Sequence, residues 1–143
     1  MTIICWDGTT LAADKMVSFE DGTFFTTPKI FRRGDGIIYG VAGTCCEAIA
    51  DWFENGEGVT KFNELVLSER NFSLLYIGHN RKPYLIEGAP YPVEVEDRCF
   101  AIGGAAQAGR ILMECGMTAE KAVEKVCQHN IYCGGGIDAL TPA

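Results

Sequence analysis

The chain has 143 residues, 48% of them hydrophobic and 22% charged, with 17 glycines and a formal net charge of -7. That length predicts one domain over 1–143, able to bury about 70% of the surface its unfolded chain exposes. The acidic surplus excludes a nucleic-acid role, because phosphate binding needs a basic face, and no apolar run approaches the roughly 18 residues of a membrane span.

The start of the sequence also lacks a basic leader followed by an apolar core, so the expected location is cytoplasmic. Three Asp-Gly pairs then punctuate the first third: Asp7-Gly8, Asp21-Gly22 and Asp35-Gly36. Asp-Gly suits type I′ hairpin turns, whose two central residues both need φ > 0. TIICW is therefore expected to pair with TTLAAD, MVSFE with TFFTT, and KIFRR with IIYGVAG.

After Gly43 the pattern changes. TCCEAIADWF predicts a helix with Thr44 as N-cap and Ala48, Ile49, Trp52 and Phe53 on one face. VTKFNELVLSER fits either a short helical turn or a linker. SLLYIGH, KPYLIE, VEVE and RCFAIGG read as further strands, with a turn near Asn80-Arg81. One helix covers about Ala105 to Cys115 and stops at Gly116; the next starts from an N-cap at Thr118 and carries Ala119, Val123 and Val126. NIYCGGGIDALTPA closes with a short strand behind a glycine-rich bend. Sequential hairpins without a βαβ rhythm give an α+β fold with antiparallel sheets, and no repeat or second domain is visible.

The cysteines (Cys5, Cys45, Cys46, Cys99, Cys115, Cys127 and Cys133) are odd in number and contain no Cys-x-x-Cys. Buried, reduced thiols are expected in place of a disulfide framework. Cys127, His129 and Cys133 lack the paired knuckle of a zinc site, so no metal is expected. AIGGAAQAG lacks the Gly-x-Gly-x-x-Gly spacing and no Lys-Ser/Thr follows it, and no helix follows the glycines of CGGGID, so no nucleotide cofactor is expected either. His79 and His129 are the only histidines, and neither sits in a recognisable nucleophile motif.

Four segments together carry a resemblance: MTIICWDGTTLAADK, KIFRRGDGIIYGVAGT, AIGGAAQAG with GMTAEKAVE, and CGGGID. In this order they resemble the proteasome β-subunit family of N-terminal threonine hydrolases, in particular the short bacterial and phage members related to the HslV peptidase. The resemblance implies a four-layer αββα sandwich of two antiparallel sheets, the Ntn-hydrolase arrangement, with one helical layer reduced. It also implies a threonine peptidase or amide hydrolase acting on peptides or unfolded protein. Such an enzyme is expected to form a homo-oligomer, and an ATPase unfoldase is a possible partner.

The resemblance assigns roles by position. Thr2 becomes the nucleophile once Met1 is removed, and its own α-amine, of ordinary pKa about 7.7–8.0, becomes the base. Lys29 matches the lysine beside that threonine, and Asp14 the carboxylate that pairs with it. Gly43, fourteen residues after Lys29, matches the glycine whose N–H faces the oxyanion. Asn130 and Cys133 stand where the family has an aspartate and a serine, and Gly104 where it has a serine. Val41 matches the wall of the first specificity pocket, implying a modest apolar pocket. Val17, Ser18, Thr27 and Cys45 match other cleft positions. Each position taken singly has a plain structural reading, with Asp14 and Lys29 a surface pair worth under about 1 kcal/mol. A non-catalytic scaffold subunit of the same fold is the alternative.

Overall fold

A computed structural model describes residues 1–44, 46–66 and 71–143. Its elements in chain order are β1 (Ile4–Trp6), β2 (Leu11–Asp14), β3 (Met16–Ser18), β4 (Phe24–Thr26), β5 (Ile30–Arg32), β6 (Ile38–Gly43), α1 (Cys46–Asn55), α2 (Val59–Val66), β7 (Phe72–Ile77), β8 (Pro83–Ile86), β9 (Val93–Glu94), β10 (Phe100–Ile102), α3 (Ala106–Glu114), α4 (Ala119–His129) and β11 (Ile137–Leu140). One sheet runs β10-β1-β2-β11 and another β5-β6-β7-β8-β9, while β3 and β4 form a separate hairpin. Every pairing is antiparallel.

The three expected hairpins form, but their turns are not type I′. Gly22 and Gly36 take φ of +87° and +94°, whereas Arg81 is the one non-glycine with positive φ among the described residues. The aspartates therefore stay in ordinary backbone regions. Phe19 N–H donates to the Thr23 carbonyl at 2.9 Å and Gly22 N–H back to Phe19, and Arg33, Gly36 and Ile37 repeat the pattern. This is a turn followed by a left-handed glycine that bulges the strand. The aspartates contribute acceptors: Asp21 Oδ1 takes the Thr23 N–H and Asp35 Oδ1 the Ile37 N–H.

Alternation along the strands divides the interior into three cores. Ile3, Cys5 and Ala12 pack against Met113 of α3 and Ala122 and Val123 of α4. Ile4, Trp6 and Leu11 point the other way, onto Ile30, Ile38 and Leu75 of the second sheet. Tyr39, Val41 and Leu74 on the far face of that sheet meet Ile49, Trp52 and Phe62 of α1 and α2. The two sheets approach closely at Gly40, where a Cβ would lie 2.9 Å from Ile30 Cγ2 and 3.0 Å from Ile4 Cδ1.

The stretch left open between helix and linker supplies α2. Thr118 caps α4 as expected, its hydroxyl accepting from Lys121 N–H at 3.2 Å. Thr44 does not behave as a cap. Its hydroxyl donates to the Asn71 carbonyl at 3.0 Å, and α1 begins at Cys46. Cys5, Cys99, Cys115, Cys127 and Cys133 are free thiols; Cys5, Cys99 and Cys133 are buried, whereas Cys115 is exposed. Among the described residues no helix is long and apolar enough to cross a membrane, and no group of His, Cys, Asp and Glu is arranged to hold a metal ion.

Candidate active site

β2 ends on Asp14, which is fully buried, and the loop before β5 presents Lys29, which is 7% exposed. The Lys29 ammonium donates to Asp14 Oδ1 at 2.8 Å. The same oxygen accepts the Ile3 N–H at 3.2 Å, and Oδ2 accepts the Gly134 N–H at 3.2 Å. Both carboxylate oxygens are thus occupied, which is what allows a charged pair to persist out of water. The bond to Ile3 joins the pair to the residue after Thr2. A surface pair of negligible strength is excluded by this burial.

Lys29 reaches the wall of a cavity of about 750 Å³ that also takes in Thr2 and Gly43. The β3–β4 hairpin and the segment after it contribute Val17, Ser18 and Thr27 to one side, and Val41 of β6 contributes to the wall. Seven residues separated by up to 41 positions in sequence therefore line one space. Its volume falls in the ordinary range for ligand pockets, about 300–1,000 Å³. Cys45 lies outside the described residues.

Two glycines allow close backbone approaches beside the site, Gly103 to Thr2 and Gly43 to Asn71. Gly103 has φ +101°, and a Cβ there would overlap the Thr2 carbonyl oxygen, which accepts the Ala105 N–H at 3.3 Å. Gly43 has φ +109°, and a Cβ there would overlap the Asn71 carbonyl oxygen. Only glycine meets both demands at either position. The glycine pair of AIGGAAQAG therefore serves contact with the chain start as well as the entry to α3.

Asn130 and Cys133 do not line the cavity; they meet the residue before Thr2. Asn130 Nδ2 donates to Met1 Sδ at 3.2 Å, and Cys133 Sγ donates to the Met1 carbonyl oxygen at 3.5 Å. Met1 is further held by its ammonium, 3.1 Å from the Tyr132 carbonyl. A Cβ on Gly104 would lie 2.5 Å from Met1 Cγ. Burial, reinforced by the Asp14 charge, pushes the Cys133 thiol up, so it stays protonated near neutrality and acts as a donor, not as a competing nucleophile.

The sequence reading missed one wall. Glu47, Asp51 and Glu54 of α1 line the cavity together with Phe31, Tyr39 and Ala50. The pocket is therefore not simply apolar. Acidic residues at i, i+4 and i+7 of a helix share a face, and that spacing was present in the sequence. The Tyr39 hydroxyl donates to Glu54 Oε1 at 2.7 Å; burial, and secondarily Glu54, push its phenol well up.

The fold has counterparts among solved structures. The chain has a proteasome β-subunit/HslV-like fold. BPH of Thiobacillus denitrificans is similar at a TM-score of 0.73 and 15% identity, covering 100% of this chain and 99% of that one. The same protein in complex with epoxomicin gives a TM-score of 0.71 and full coverage of both chains. Eukaryotic HslV from Trypanosoma brucei gives 0.65 at 20% identity, with 97% of each chain covered. No family model matches the chain, and no curated protein matches it.

Proposed function

We propose that the protein is an N-terminal threonine peptidase or amide hydrolase of the proteasome class, acting on peptides or unfolded protein. The observation that carries this reading is the buried Asp14–Lys29 pair at the wall of a cavity shared with Thr2 and Gly43. In this reading the three cores stack as a four-layer αββα sandwich forming one domain. Phe19, Phe24 and Phe25, all about half exposed around the β3–β4 hairpin, support assembly into a homo-oligomer that covers them.

Removal of the residue before Thr2 frees the α-amine. Thr2 Oγ then attacks an amide carbonyl while that amine takes its proton. A C–O bond forms, and the tetrahedral oxyanion is met by the Gly43 N–H and the Lys29 charge; one such donor is worth about 2.7–4 kcal/mol of barrier. Collapse breaks the C–N bond, the leaving amine takes the proton, and water then hydrolyses the threonine ester. Hydroxyl and base belong to one residue, so their mutual orientation requires no further ordering. Lys29 disfavours protonation of the amine, and Asp14 holds Lys29 in place.

Epoxomicin supplies the test, because its warhead needs a free amine and its neighbouring hydroxyl together. Incubation of protein that starts at Thr2 is expected to add one inhibitor mass, read by intact mass spectrometry. A Thr2-first preparation that forms no adduct overturns the reading.

A second reading, a non-catalytic scaffold of the same fold, is favoured by the contacts that hold Met1 through Tyr132, Asn130, Cys133 and Gly104. Gly104→Ser separates the two. Its Cβ forces the Met1 side chain to move, so the active-enzyme reading expects a larger Met1-free fraction and more adduct per chain. A scaffold gains neither.

A further inference from the structure

We propose that the cavity beside Thr2 selects a basic side chain, lysine or arginine, at the substrate residue whose carbonyl is attacked. This rests on the peptidase reading above and adds the class of substrate to it. The cavity is amphipathic in a particular sense. Val41, Phe31, Tyr39 and Ala50 supply apolar wall, and Glu47 and Asp51 supply carboxylates on the α1 side. Apolar wall suits the methylene stem of a lysine or arginine, and carboxylates suit its charged head.

The charge of this space is not balanced from within. Lys29 is the one cationic side chain among its described lining residues, and it is buried and engaged by Asp14 at 2.8 Å, while the Met1 ammonium is held by the Tyr132 carbonyl at 3.1 Å. No ion pair among the described residues involves Glu47, Asp51 or Glu54. Arg33 feels the Glu54 charge, but its guanidinium donates to Asp35 at 2.9 and 2.7 Å and to the Phe53 carbonyl at 3.4 Å, and it lies 4.4 Å over the Phe53 ring. Glu54 is also oriented by the Tyr39 hydroxyl. Along α1 the three carboxylates span roughly 10 Å at about 1.5 Å per residue. A substrate cation entering between Val41 and α1 therefore meets a row of carboxylates, while the one cationic side chain of the wall is already paired with Asp14. An aspartate or glutamate there meets like charge.

Peptide amides that differ only at the attacked residue test this, with lysine, leucine and glutamate compared on Thr2-first protein. Lysine is expected to exceed leucine by about tenfold or more in kcat/KM, and glutamate to be turned over least. The lysine-to-leucine ratio is expected to fall at higher salt, since the carboxylates are exposed. In Glu47→Gln/Asp51→Asn the ratio drops toward one, and an unchanged melting temperature shows that the fold is intact. Leucine turned over as well as lysine, or a ratio that the double substitution leaves alone, overturns the selectivity while leaving the peptidase standing. Turnover of none of the three, with no epoxomicin adduct, overturns both.

Discussion

Asp14→Asn is expected to destabilise the protein by about 3–5 kcal/mol, seen as a melting temperature roughly 10 °C lower. The magnitude follows from what asparagine leaves behind. Lys29 is 7% exposed and its ammonium has one charged partner, Asp14 Oδ1, at 2.8 Å. A neutral amide keeps one acceptor oxygen where the carboxylate had two, so the Ile3 and Gly134 N–H groups lose an acceptor between them. A buried cation without a counter-charge and a buried N–H without an acceptor are each costly. Lys29→Met leaves the opposite charge and is expected to destabilise as well. The double variant Asp14→Asn/Lys29→Met removes both charges and is expected to lose less than the sum of its parts, because neutral replacement of a buried pair is often tolerated. Chemical denaturation of the four proteins measures the coupling. A shift under about 1 kcal/mol for Asp14→Asn contradicts the buried-pair account.

The legible part of this fold was its local part. Asp-Gly punctuation marked the hairpins because tight reversals need a residue free to enter φ > 0, yet it misled about turn type. The deciding factor was that each aspartate side chain accepts from a backbone N–H two residues on, which keeps the aspartate in an ordinary backbone region and leaves the positive φ to glycine alone. Thr118 was legible as a cap from its neighbours in sequence. Thr44 was not, since its hydroxyl goes to Asn71, a partner 27 residues away. The same limit applies to the site. Asp14 and Lys29 were marked by resemblance, while their burial and mutual bond arise only once two sheets meet. Gly104, Asn130 and Cys133 differ from the resembling family in concert: all three contact Met1. No single-residue reading could assemble that, because they come from the start of one helix, the end of another and the loop behind it.

Thr2→Ala is expected to abolish the epoxomicin adduct and to reduce peptide turnover by at least about a thousandfold, since no other hydroxyl shares a residue with the chain's amine. Lys29→Met is expected to lower turnover by about 10²–10⁴-fold, the usual contribution of a charge or proton-transfer group at the reacting atoms. Stability and chemistry can then be told apart. Asp14→Asn/Lys29→Met recovers much of the folding free energy but has no ammonium beside Thr2, so its turnover should stay as low as that of Lys29→Met alone. Single-turnover rates on Thr2-first protein, measured below the melting temperature of each variant, give the comparison. Recovery of turnover alongside stability in the double variant would mean that Lys29 only holds the backbone in place. Turnover by Thr2→Ala within tenfold of the parent would mean that the reacting oxygen belongs to another residue lining the cavity.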